Sequence, residues 1–392
     1  MEGRHIVGGR FLTERLRELQ IRAEKYFPGA RYVCVYSHTR GKMELVPISY
    51  AIASQFGHAV DYGSGIFEGG SAIMNERTGE PSIILQGPRL RRLYERSLPA
   101  RGYQAPVSSE QMAAATIDLI AANGLDLFRH PDGVTPDFVR AYVRPSIQPA
   151  SSSGYGISLR ENYLIDVGII AWSWPNYLPP ELTKNGGSAA ITGQQRLFPI
   201  TGKHASNYGS AVRDSALARS LGANELVYLS PYLIDKDNHL YWCDPNDQEA
   251  KLADGVIADG PGEECLALTA DQKTIIYPPM RVNRLGGTVL QYVIDHLAAN
   301  LGLATREADI TLHDLRAGKY AGLALVGNAV KVTPMRQLNL YRGNILHEQI
   351  ELFSPSHVPE MLENLRVRWE NETRGLIDPS HSSLLTPVPR VK

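Results

Sequence analysis

Long hydrophobic runs and any excess of charge are both missing from this chain. No segment approaches the ~20 apolar residues of a membrane span, and the opening MEGRHIVGGRFLTERLRELQ has no apolar stretch long enough for a secretory signal. The expected setting is therefore the cytoplasm, with nothing anchoring the chain to lipid. A formal net charge of -1, without a basic run interleaved with aromatics, supplies no field for nucleic acid or an anionic membrane. Cysteine is scarce: Cys34, Cys243 and Cys265 are too few and too scattered for a disulfide framework or a zinc knuckle, and an odd count suits a reducing compartment. The 11 histidines include no HExxH pattern or comparable pair at ligand spacing, so no metal is expected.

What is present is ordinary for a globular protein acting on small molecules. With 392 residues, 43% apolar and 21% charged, the chain can bury one large or two medium cores, and two domains are the default. The spacing predicts a helix over Phe11 to Tyr26, with Leu12, Leu16, Leu19 and Ile21 on its apolar side and Pro28-Gly29 as its stop. Short strands are expected over Tyr32 to Tyr36 and Leu45 to Ile48. The loop from His58 to Gly70, with Tyr62 and Phe67 among its glycines, suggests unusual backbone holding aromatics toward something, or a tight turn under a core. Its GSGIFEG wording has the wrong spacing for a dinucleotide fingerprint.

Beyond it, Ile83 to Leu85 reads as a strand, and Pro88 to Arg96 opens an arginine-rich helix. One arginine could reach an anion; a solvated face would look the same. A helix over Ser109 to Ala122 precedes Phe138 to Pro145, whose alternation places Tyr142 and Arg144 on one face of a strand. Two polar tips side by side suit a carboxylate, though an exposed sheet face has the same spacing. The run WSWPNYLPPELTKNGG breaks helix and strand alike. The expected division is residues 1–173, a linker over 174–187 and a larger domain over 188–392.

Lys203 then sits in Thr201-Gly202-Lys203-His204-Ala205-Ser206-Asn207-Tyr208, ahead of a helix from about Asn207 to Leu221 with Ala211, Val212, Ala216 and Leu221 on its apolar side. A lysine shielded from water is a candidate nucleophile toward an aldehyde, and Tyr208 could place a phenol beside it; a solvated loop lysine is the plainer alternative. The polar stretch Asp235 to Asp254 looks like an insertion or an extended hairpin and carries no obvious chemistry. Asp259 to Glu264 is an acidic glycine turn after a strand, of a kind that is usually solvated. Gly286-Gly287-Thr288 opens a helix with core positions Val289, Leu290, Val293, Ile294, Leu297 and Leu301. Free backbone N–H groups there favour a phosphate, and capping by Thr288 explains the same residues. Gly327-Asn328-Ala329, followed by Thr333-Pro334, is another small-residue turn that could meet a ligand.

A reactive lysine, a phenol, an acid in a turn and a phosphate cradle are what a protein needs to hold pyridoxal phosphate. From about Tyr32 to Arg336 the landmarks resemble fold-type IV pyridoxal-phosphate enzymes, the class-IV aminotransferases, and most closely the branched-chain amino-acid aminotransferases. DYGSGIFEGG is similar to the family's HYGxxxFEG loop, RLRRL to its arginine segment, YVRP to YIRP, KHASNYGS to the lysine segment, DGPGEE to EGxxxN, GGT to GIT, and GNA to GTA.

The resemblance implies an α/β architecture of two α/β domains with the cofactor at their interface, usually in a homodimer whose neighbour lends a loop to the substrate pocket. It implies Lys203 as the Schiff-base lysine and proton carrier, and Tyr208 as the phenol on the ring hydroxyl. Asp259 falls on the ring nitrogen, and Arg92, Gly287, Thr288 and Asn328 on the phosphate. Tyr62, Phe67, Tyr142, Arg144 and Ala329 fall on the substrate. The implied reaction is transfer of an amino group from an amino acid to a 2-oxo acid such as 2-oxoglutarate. Within the family the alternative is a lyase of the aminodeoxychorismate type, which needs no oxo-acid acceptor. Three residues depart from the pattern: Asp259 replaces a glutamate, Glu264 an asparagine, and His204 a small residue beside the lysine. A phosphate-binding GxxxxGK[ST] loop would need glycine at Leu197 and Ser or Thr at His204, and neither is present. A non-catalytic relative would have little reason to keep lysine, tyrosine and acid together.

Overall fold

A computed structural model describes residues 9–50, 58–135, 138–150, 158–159, 163–196, 202–244 and 246–389. The chain divides into two compact units, Met1–Pro175 joined by Thr386–Lys392, and Asn176–Leu385.

The first unit is built on an 8-stranded sheet. Its order is Leu385–Pro387, Pro81–Ile84, Gly70–Met74, Ala141–Pro149, Ile165–Ser173, Tyr32–Ser37 and Lys42–Pro47, with Ile66–Phe67 paired on Ala141–Pro149. Alternation along Ile165–Ser173 sends Ile165, Val167, Ile169 and Ala171 into the core, where they meet Met112, Leu119 and Ile120 of the helix Ser109–Asn123. Ser108 starts that helix with a reciprocal capping pair, its hydroxyl accepting from Gln111 N at 3.3 Å while Gln111 Oε1 accepts from Ser108 N at 2.8 Å.

The last residues belong here and not to the second unit, which corrects the expectation for 188–392. Val388 is fully buried and its N–H donates to Pro81 O at 2.8 Å, so the returning strand completes the sheet edge. The segment expected as a linker is structured, holding the helix Pro180–Asn185 and the start of the strand Gly187–Ile191. In the helix Gly9–Tyr26, Ile21 is 61% exposed and Ala23 is buried instead, while the side chains of Leu12 and Leu16 lie outside the described residues.

In the second unit an 8-stranded sheet runs Ala304–Glu307, Thr274–Tyr277, Glu264–Thr269, Tyr320–Gly327, Lys331–Arg342, Gly187–Ile191 and Glu225–Leu226, with Ile345–Glu351 on Lys331–Arg342. A 3-stranded sheet of Leu240–Trp242, Leu229–Ile234 and Gly255–Ile257 stands beside it. The polar stretch 235–254 resolves into the turn and second strand of a hairpin and the helix Gln248–Asp254. Helix Gly209–Ser220 faces inward through Ala211, Asp214 and Ala218, whereas Val212, expected on the apolar side, is 72% exposed. The inward side carries a polar contact as well as alanines: Tyr228 donates its hydroxyl to Asp214 Oδ2 at 2.8 Å in the interior.

Among the described residues, two helices carry a π turn. Leu98 N reaches back to Leu93 O, and Ala298 N to Val293 O, each a bond spanning five residues. The extra residue shifts the buried face, so that after Val293 the core continues through Leu297 and Ala298 and leaves Ile294 and Leu301 only half-buried.

Candidate functional site

In the second unit Lys203 follows a bend at Gly202 and precedes the short helical turn Ala205–Tyr208, which brings Tyr208 back over it. The lysine is buried, its Nζ donates to the Tyr208 hydroxyl and lies 4.6 Å from that ring's centre. Thr201, the first residue of the expected motif, lies outside the described residues.

Asp259 comes from a different part of the fold, at the end of Gly255–Ile257, where its carbonyl accepts from Tyr228 N at 2.8 Å. Its carboxylate is fully buried and is held on both oxygens at 3.0 Å by Nε of Arg196. Arg196 also donates to Gly260 O at 2.6 Å and Pro261 O at 3.2 Å, and lies over the Tyr228 ring at 5.2 Å. Burial pushes the Asp259 carboxyl up to about 6 against the opposing pull of Arg196. Burial works to lower the Arg196 guanidinium, but Asp259 and then the Tyr208 and Tyr228 phenols outweigh it and hold it above the ordinary arginine value. Lysine, phenol, guanidinium and acid thus form one electrostatic network. Arg196 is the member that sequence reasoning missed: GQQRLFP has no motif, and only the fold brings position 196 to position 259.

At Gly286–Thr288 the first turn of the helix is buried at Thr288, Val289 and Leu290, and no side chain caps it. Glu264 takes the N–H of Gly286 at 2.6 Å and pairs with the buried Arg284 at 3.2 Å. A Cβ on Gly287 would come within 2.9 Å of the Glu264 carboxylate, so a larger residue there would have to displace that side chain. Asn328 and Ala329 lie half-buried in the turn between Tyr320–Gly327 and Lys331–Arg342.

In the first unit Arg92 is buried and held by Glu68 in a two-bond pair, 2.7 Å each. Tyr142 is buried and packs against Trp172 and Trp174, its ring centre 4.7 Å from each, tilted to the first and edge-on to the second. Arg144, on the same face, is exposed, donates to the Tyr142 hydroxyl at 3.2 Å and lies over the rings of Tyr142, Phe67 and Trp172 at 5.0, 5.1 and 5.5 Å. Tyr62 ends the short helix His58–Tyr62 at 44% exposed and does not point into that unit's core.

Three acidic or imidazole groups, Asp235, Asp237 and His239, also converge at the exposed hairpin turn. Asp235 spends its Oδ1 on the turn's own N–H groups, from Asp237 at 2.9 Å and His239 at 2.8 Å, which accounts for the cluster.

The branched-chain-amino-acid aminotransferase of Escherichia coli strain K12 is 25% identical over 288 residues, 72% of this chain and 78% of that protein. The protein of the same name from Pseudomonas aeruginosa PAO1 is 26% identical over 301 residues, 76% of this chain and 83% of that protein. The crystal structure of the E. coli enzyme superposes with a TM-score of 0.71 at 22% identity, covering 92% of this chain and all of the other. The chain has the fold of the branched-chain aminotransferases and is similar to them in sequence. A branched-chain amino acid aminotransferase from T.th., solved with pyridoxamine 5'-phosphate, superposes at TM-score 0.68 and 21% identity, covering 92% of this chain and 99% of that one. No family model matches the chain.

The T.th. neighbour was solved with a pyridoxal-type cofactor, pyridoxamine 5'-phosphate, and groups in the second unit of this chain would suit such a cofactor on three counts. A buried amine with a phenol on it suits an aldehyde. A fully buried acid already paired with an N–H cation suits a protonated ring nitrogen. A buried, uncapped helix start suits a phosphate.

Proposed function

We propose that this protein is an aminotransferase that moves an amino group between an amino acid with a branched or otherwise hydrophobic side chain and a 2-oxo acid such as 2-oxoglutarate, working as a cytoplasmic homodimer. The observation that carries the reading is the buried Lys203 amine against the Tyr208 phenol, in one network with the buried acid Asp259.

When bound, pyridoxal phosphate supplies the aldehyde that takes up the amino group and the ring that accepts the electron pair left at the substrate's α-carbon. Lys203 Nζ takes the α-proton as base and returns it as acid, a role for which an amine kept out of water is suited. Tyr208 orients that amine and carries a phenolic proton beside it. Asp259 provides the negative charge that keeps a ring N–H protonated, and Arg196 holds Asp259 in place and ionised. Arg92, Gly287, Thr288 and Asn328 are proposed for the phosphate, Thr288 through the buried helix start on which it stands. Arg144, raised on an aromatic platform, is proposed for a substrate carboxylate, and Tyr142, Phe67, Tyr62 and Ala329 are proposed as further substrate contacts.

A panel of amino donors with 2-oxoglutarate, read by glutamate formation, tests the reading, with Lys203→Ala as the control. Glutamate formation with branched-chain donors that Lys203→Ala abolishes is the expected result. Turnover of Lys203→Ala at the parent rate, or release of product with no oxo acid added, would overturn it, the second in favour of a lyase.

A further inference from the structure

The stretch 235–254, which the catalytic reading leaves without a role, helps to wall a polar cavity. Three segments of the second unit meet there: Thr192–Gln195, the start of the helix Gly209–Ser220, and Asn246, Gln248 and Lys251 in and before the helix Gln248–Asp254. The cavity is about 530 Å³. That is room for a small metabolite.

Its described lining contains two cations, Lys251 and Arg213, and no carboxylate. Lys251 is almost wholly buried, and its Nζ donates to Gly193 O at 3.1 Å. Burial lowers its amine below the ordinary lysine value, with Cys243, Asp244 and Asp247 near enough to oppose the shift. Arg213 extends into solvent from the first turns of its helix, bound to Asp214 Oδ1 at 2.9 Å and to Gln194 Oε1 at 3.5 Å. The rest of the wall is amide and hydroxyl, from Gln194, Gln248, Asn246 and Ser210. Two further donors, Thr192 Oγ1 and Gln195 Nε2, are buried without a hydrogen-bond partner. Gln248 is fixed by its bond to Thr192 O at 2.9 Å, and a Cβ on Gly193 would press on its side chain at 3.3 Å. The helix Gln248–Asp254 therefore closes directly on the backbone of the Thr192–Gln195 segment.

We propose that this cavity is a binding site for a small polyanion, bearing phosphate or several carboxylates, with Lys251 and Arg213 as its charge partners. Cations and donors without a lining acid favour an anion over a neutral or cationic ligand. The site is separate from the lysine network but adjoins it along the chain, because Gln195 precedes Arg196 and Gly209 follows Tyr208. It does not depend on which amino acid the enzyme uses.

The test is calorimetric titration of the cofactor-loaded protein with inorganic phosphate and, separately, citrate, at constant ionic strength set by chloride. Saturable binding of one or both is expected, weakened about tenfold or more by Lys251→Gln and by Arg213→Gln and unchanged by Lys236→Gln on the exposed hairpin turn. Preference for phosphate would identify a phosphorylated ligand, and preference for citrate a polycarboxylate. Absence of saturable binding by either, or equal affinity in parent and both variants, overturns the proposal. Should Lys251→Gln fail to fold by circular dichroism, Arg213→Gln decides alone, since its side chain is exposed.

Discussion

With both oxygens of Asp259 held by Arg196 at 3.0 Å, removing that guanidinium leaves a fully buried carboxylate without its partner. Breaking one side of a buried pair costs about 3–5 kcal/mol, so Arg196→Met in the cofactor-free protein should lower unfolding stability by that order in a denaturant titration. Equal stability would mean that the pair has no structural weight. A second pair is acid on acid. Glu225 and Glu263 are both buried, contact one another and each leave Oε1 without a hydrogen-bond partner. Burial first, and then the neighbouring carboxyl, raise Glu263 well above the ordinary glutamate value of 4.5; burial likewise raises Glu225, with Tyr177 and Arg219 opposing. Since the folded value lies above the unfolded one, this contribution to stability is complete below the unfolded value and is lost as pH rises through the folded one. Glu263→Gln should therefore flatten the decline of the thermal midpoint toward alkaline pH, and its midpoint at pH 8 should lie above the parent's, because the amide cannot ionise in the interior. A parent midpoint that rises over that range would contradict it. Neither pair was legible beforehand. Arg196 sits in an unmarked loop, and an acidic turn reads as solvated until its burial is known.

Elements explain which part of the phosphate cradle the sequence could express. Glycines before a helix were visible, but the partner of Gly286 was not, because Glu264 reaches it across a strand and not along the chain. Glu264 does two jobs, accepting from Gly286 N at 2.6 Å and neutralising the buried Arg284. Glu264→Ala should lose about 3–5 kcal/mol through the stranded guanidinium, and Glu264→Gln distinctly less, because an amide oxygen still accepts from Gly286. Gly287→Ala should be destabilising alone and milder in the Glu264→Ala background, since the 2.9 Å approach is to that side chain. Additive losses in the double variant would show that the clash is elsewhere. Periodicity failed for a related reason in the helix after Thr288: the π turn at Val293 moves the buried face by one residue, and no simple 3.6-residue reading anticipates it.

At the scale of the molecule, the chain passes from one compact unit to the other near residue 175, in a proline- and glycine-rich run, while nothing in the sequence marks the destination of the tail. Short strands such as Leu385–Pro387 carry little pattern of their own, and their place is set by the open edge that accepts them. Here the edge is Pro81–Ile84, and the closing contacts are the Val388 N–H on Pro81 O and the fully buried Val388 side chain. Burying a valine is worth roughly 1.5–3 kcal/mol, so Val388→Ala should remove part of that from the first unit, and Val388→Asp should release the strand altogether. Hydrogen exchange resolves where the loss falls. Faster exchange should appear along Pro81–Ile84 and its neighbour Gly70–Met74, with the strands Glu264–Thr269 and Tyr320–Gly327 of the second unit keeping their protection. Loss of protection in the second unit's strands, with Pro81–Ile84 unchanged, would return the tail to the domain in which a linear reading of the chain had placed it.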